Sequence, residues 1–127
     1  MLDGLLKGWR RGRRVAELEA ELCIPGPDAD RRERRKVDAE LELILYARGY
    51  DLEIEVERHN GRLDASRPLD IAVDGIRVGT IRMSRRRSTR FRRSEADGPL
   101  GFAPALGQEI SLGQGGVVLL TGELRRD

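Results

Sequence analysis

A chain of 127 residues fits one domain of ordinary size, or a small domain with an appendage. Charged residues make up 36% of it, but 24 basic side chains against 22 acidic ones leave a net charge of only +2, so the charge is patterned more than it is basic. A single cysteine, Cys23, and a single histidine, His59, exclude an internal disulfide, a cysteine-rich zinc site and most triad or metallohydrolase chemistry. No run approaches the roughly 18 apolar residues of a membrane span, and the opening Met1-Leu-Asp-Gly-Leu-Leu-Lys-Gly-Trp-Arg lacks the apolar core of a secretory signal. A cytoplasmic protein, or part of a particle assembled in the cytoplasm, is the expectation.

Residues 1–36 read as an N-terminal amphipathic helix followed by a charged connector. Leu2, Leu5, Leu6, Trp9, Val15, Leu18 and Leu22 recur at three- and four-residue steps. Arg13 to Leu22 is the stronger half, since Gly4, Gly8 and Gly12 weaken the early turns. Ile24-Pro25-Gly26-Pro27 should stop the helix.

From Val37 the period becomes two, and residues 37–127 read as a β-sandwich domain. Val37, Ala39, Leu41, Leu43 and Leu45 alternate with Asp38, Glu40 and Glu42; Leu52, Ile54 and Val56 then alternate with Glu53, Glu55 and Glu57. A hairpin turning at Arg48-Gly49 sets Leu45 opposite Leu52 and Leu43 opposite Ile54, and brings Glu42 opposite Glu55 and Glu40 opposite Glu57. Asp74-Gly75 supplies the positive φ values of a type I′ turn, pairing Val73 with Ile76 and Ile71 with Val78, with Gly79 at a bulge. Arg86 to Arg93 suits a further strand with Arg86, Arg90 and Arg92 on one face and Arg87, Thr89 and Phe91 on the other. Gln108–Leu112 and Val117–Leu124 form a third hairpin across Gly113-Gln-Gly-Gly. Because Val117-Val-Leu-Leu is apolar on both phases, it predicts a central, well-buried strand. About seven short strands with regular turns describe a small antiparallel sandwich.

Segments 51–57, 69–81 and 118–124 carry a Val-Asp-Gly hairpin, a following Val-Gly and a closing apolar strand that runs into Thr-Gly. In these features residues 51–124 resemble a recurring bacterial immunoglobulin-like β-sandwich module. The resemblance implies an Ig-like sandwich in an adhesive or structural setting and carries over no catalytic residue. The N-terminal segment and the arginine run at 85–93 depart from that pattern.

Function is sought in the charge. Residues 1–36, 37–84, 85–93 and 94–127 carry +3, −4, +6 and −3. Like charges directly opposite on neighbouring strands repel by a few tenths to about 1 kcal/mol a pair, so the glutamate stripe calls for a basic counterpart. Arg85, Arg86, Arg87, Arg90, Arg92 and Arg93 are that counterpart, facing Glu40, Glu42, Glu53, Glu55 and Glu57 within one chain or between subunits. The expected role is a non-enzymatic structural or interaction module that self-assembles or docks on a larger scaffold, with a protein partner or further copies of itself. The helix face of Leu5, Leu6, Trp9 and Leu18 is a second contact surface. The alternative is a nucleic-acid-binding protein using the arginine run with Phe91 to stack, against which residues 37–127 outside the run carry −7. A membrane-surface helix is disfavoured by Glu17, Glu19 and Glu21. No catalytic residue, metal ligand or cofactor is assigned, because no pocket or partner base surrounds the carboxylates and hydroxyls.

Overall fold

The computed structural model describes residues 11–25, 37–57, 63–84 and 88–127. They form two antiparallel sheets and almost no helix. The strands are β1 (Arg14–Leu22), β2 (Ala39–Tyr46), β3 (Gly49–Glu57), β4 (Leu69–Val73), β5 (Ile76–Ile81), β6 (Ser88–Ser94), β7 (Glu109–Gln114), β8 (Val117–Glu123) and the short β9 (Arg125–Arg126). One sheet runs β6-β3-β2-β1-β9 and the other β5-β4-β7-β8. A single 3-10 turn, Glu95–Asp97, follows β6; the Ser94 hydroxyl accepts from the Ala96 amide and the Asp97 carboxylate accepts from the Ser94 amide.

The expected helix over Arg13–Leu22 is corrected to a strand. Leu18, Ala20 and Leu22 point into the core while Glu17, Glu19 and Glu21 point away, and Leu18 is 7% exposed. Ala, Leu and Glu are all good helix formers. Their strict alternation nonetheless matches that of β2, and pairing along the β2 edge overrides the local preference. Leu18 is thus a core residue and offers no contact surface. Leu5, Leu6 and Trp9, the rest of that proposed face, lie outside the described residues.

The β2–β3 register also differs from expectation. The turn is Ala47-Arg48, closed by Tyr46 opposite Gly49, so Leu43 faces Leu52, Leu41 faces Ile54, Glu42 faces Glu53 and Glu40 faces Glu55. In the second hairpin Asp74 (φ 50°) and Gly75 (φ 81°) form the turn and Val73 faces Ile76. A register shift then sets Ile71 opposite Gly79 instead of Val78. Asp74 further accepts from the Glu109 amide at 2.8 Å, tying this turn to β7.

Both sheets send apolar side chains into one shared core, in which Leu43, Ile54, Leu69, Ile110, Leu112 and Leu124 are fully buried. Each contributes about 1.5–3 kcal/mol by leaving water. Backbone hydrogen bonds join the sheets along one side. Cys23 and Thr121 exchange two backbone hydrogen bonds of 2.8 Å, after which β9 pairs with β1. Strand β8 is accordingly not central, as its apolar sequence suggested. It is the last strand of its sheet, with Val117 60% and Val118 49% exposed.

Candidate functional site

The outward face of the five-stranded sheet is built from the polar phase of every strand in it. The ladders align Arg125, Glu19, Glu42, Glu53 and Arg92 in one row across β9, β1, β2, β3 and β6. A second row holds Glu21, Glu40, Glu55 and Arg90. Six carboxylates therefore lie between two arginine borders.

The borders are engaged. Arg90 reaches Glu53 at 3.3 Å and Glu55 at 3.2 Å, and Arg92 reaches Glu53 at 3.3 Å. On the other side Arg125 reaches Glu19 at 3.2 Å and Glu21 at 3.1 Å. The middle is not engaged. Among the described residues no cation lies within 4 Å of Glu40 or Glu42 on the central strand β2. In these two rows three guanidinium groups stand against six carboxylates, an excess of three negative charges among the described residues. Dehydration, followed by repulsion from Glu21, Glu42, Glu55 and Glu19, raises the Glu40 carboxyl above the ordinary glutamate range.

That shift fixes a sign. A carboxyl raised by folding takes up a proton more readily when folded, so its ionisation opposes folding at neutral pH and the penalty fades as pH falls through its folded pKa. Replacing Glu40 with Gln is expected to stabilise the chain by a few tenths of a kcal/mol at pH 7. Urea midpoints of the two proteins should converge at acid pH, and a midpoint gap that persists there contradicts the assignment.

At one end of the face a groove of about 380 Å³ is lined by Glu42, Ile44, Asp51, Glu53, Arg92 and Asp97 among others. Four carboxylates and two arginines, Arg92 and Arg93, line it, with Ile44 and Leu52 as its apolar part. A long basic side chain suits this composition, its stem on Ile44 and its head among the oxygens.

The same end is held together by Arg11. Its guanidinium pairs with Asp51 and with Glu95, donates to the Tyr50 carbonyl at 2.8 Å, and lies 4.4 Å from the centroid of the Tyr46 ring. Glu95 also accepts from the Tyr50 amide at 3.2 Å, and Arg11 holds its carboxyl down at about 2. Gly49 leaves room for this carboxylate, because a Cβ there would stand 2.6 Å from a Glu95 oxygen and displace the side chain.

Of the residues singled out from sequence, Arg90, Arg92, Glu40, Glu42, Glu53 and Glu55 thus share one face. Glu57 lies opposite Ser88 at the end of β3. Arg93 points inward, towards the Tyr50 hydroxyl. Arg85, Arg86, Arg87 and His59 lie outside the described residues. Glu19, Glu21 and Arg125 join the face unannounced, and the alternation of glutamates at 17, 19 and 21 is the signal that could have found them. Arg11, Asp51 and Glu95 had none, being 40 and 84 residues apart from one another along the chain. Among the described residues no group of His, Cys, Asp or Glu side chains is arranged to hold a metal ion, and no helix is long and apolar enough to cross a membrane. No protein-family model matches the sequence, and comparison with curated proteins and with solved structures gives no match either.

Proposed function

We propose that this chain is a non-enzymatic interaction module of the β-sandwich type, and that its carboxylate face docks an arginine- or lysine-rich surface. The partner is a larger scaffold or the arginine border of another copy. One observation carries the reading: Glu40 and Glu42, at the centre of the face, have neighbours of their own sign and, among the described residues, no cation within 4 Å, while both borders are already paired. A basic partner would remove that repulsion, and the face would steer it in from solution. An immunoglobulin-like relationship belongs to this proposal at the level of two packed sheets only. Nucleic-acid binding is the weaker reading, since Glu53 and Glu55 occupy Arg90 and Arg92 and the surrounding face repels phosphate.

The test is solution mass, together with binding of an arginine-rich peptide, at about 10 mM and about 1 M salt, where screening lengths are about 30 and about 3 Å. The expected result is self-association or peptide capture at low salt, lost at high salt and weakened by the double replacement Glu40→Gln, Glu42→Gln. A monomer at both salts that ignores the peptide, or equal capture by the double variant, overturns it. Salt-dependent capture of DNA or RNA in place of the peptide restores the arginine run as the functional element.

A further inference from the structure

Among the described residues, the backbone hydrogen bonds that tie the two sheets together lie on the β8–β9 side. On the opposite side, where β5 and β6 are the last strands, the gap between them is covered by the segment following Gly98. There Leu100 and Phe102 pack half-buried against the core. Beneath them remains a cavity of about 70 Å³ with an apolar lining that includes Ile71, Val73, Phe91 and Ile110. One charged side chain lines it, Arg93.

The position of Arg93 is unusual for its chemistry. Thr89, Phe91 and Arg93 occupy the inward phase of β6, so the run of basic residues turns one guanidinium towards the gap between the sheets while Arg90 and Arg92 face solvent. Its described hydrogen bonds go to neutral oxygens: Nε donates to the Tyr50 hydroxyl at 3.2 Å and Nη2 to the Pro99 carbonyl at 3.4 Å. Among the described residues no carboxylate lies within 4 Å of it. A guanidinium has five N–H donors, and these two contacts leave a majority of them unspent. A cation beside an apolar surface with no carboxylate in direct contact is incompletely compensated, and its planar fork matches a carboxylate in bidentate geometry.

We propose that this gap is a binding site for a small aliphatic carboxylate, with Arg93 receiving the head group and the apolar cavity receiving the chain under Leu100 and Phe102. Size sets the class. An apolar cavity of about 150 Å³ accommodates benzene, so about half that volume admits a chain of a few carbons and no ring. The inference does not rest on the carboxylate face, which lies on the outer side of the same sheet, although Arg93 also borders the groove at the end of that face.

The experiment is a titration of the full chain with straight-chain acids of increasing length and with the matching alcohols, followed through the methyl resonances of Leu100, Ile71, Val73 and Ile110. Saturable binding is expected for acids of about four to six carbons, with Kd on the order of 1 mM for so few atoms. The matching alcohols should bind about tenfold more weakly, and Arg93→Gln should weaken the acids by a similar factor. Phe102→Ala, at a half-buried position in the covering segment, should keep the fold and move the optimum to longer acids. Equal binding of acids and alcohols, an unchanged optimum in Phe102→Ala, or no saturable shift with any acid overturns the proposal. If Arg93→Gln does not fold, the acid–alcohol difference and the Phe102 series still decide it.

Discussion

Replacing Gly122 with Ala is expected to be the most damaging glycine-to-alanine change among the described residues, costing about 3 kcal/mol. Gly122 still pairs with Ile110 of β7, one residue before the end of β8, and lies against the end of β1. A Cβ there would stand 2.1 Å from the Glu21 carbonyl oxygen and 2.8 Å from a Leu22 methyl carbon. Neither neighbour can yield easily. Cys23 and Thr121 exchange backbone hydrogen bonds next to this contact, and Leu22 is fully buried. Relief would require β8 to lift from β1, which takes β9 with it and withdraws Arg125 from Glu19 and Glu21. The same replacement at Gly116 is the control. Nothing lies within 4 Å of a Cβ there, and only its φ of 83° opposes alanine, so a cost of about 1 kcal/mol is expected. Urea midpoints rank the two. A Gly122 variant no weaker than the Gly116 variant means that the sheets are not joined at this contact.

The parts of this fold that the sequence announces are those where a local pattern has one structural solution. Asp74-Gly75 admits a type I′ turn and little else. The alternation in 39–57 fixes which side chains face inward even though the expected register was two residues off: a slip of two preserves every face and changes only the partners, whereas a slip of one would invert them. So Glu40, Glu42, Glu53 and Glu55 fall on one face as expected, with Glu42 opposite Glu53 and not Glu55. Where two solutions compete, the deciding information is tertiary. Residues 14–22 satisfy a helix by composition and a strand by alternation, and the open edge of β2 selects the strand. Val117-Val-Leu-Leu reads as a strand covered on both faces, yet in β8 only Leu120 among these four is fully withdrawn, because β8 is the last strand of its sheet and Val117 and Val118 begin it beside the hairpin turn. Long-range polar clusters leave the weakest trace, and Arg11 is the clearest instance.

Replacing Arg11 with Ala is expected to cost about 2 kcal/mol at pH 7, the scale of lost hydrogen bonds to charged groups, and to change how the protein meets acid. The Arg11 side chain is only 17% exposed, and it joins the segment before β1 to the β2–β3 turn and to the 3-10 turn after β6 through Asp51, Glu95 and the Tyr50 carbonyl. Its hydrogen bond is the largest influence on Glu95, which outweighs dehydration and holds that carboxyl at about 2, well below an ordinary glutamate. A carboxyl lowered by folding contributes stability that is complete above its unfolded pKa, about 4.3, and is lost as pH falls towards the folded value. The wild-type chain should therefore lose stability between about pH 4.5 and 2, and the Arg11→Ala variant should show a shallower decline over that interval. Arg11→Lys keeps the charge without the fork that spans two carboxylates and a carbonyl, so it should recover less than half of the loss. Glu95→Gln should flatten the acid decline with Arg11 in place. Thermal or urea unfolding at a series of pH values measures all four proteins, and parallel acid limbs for wild type and Arg11→Ala would show that the guanidinium is not what keeps Glu95 ionised.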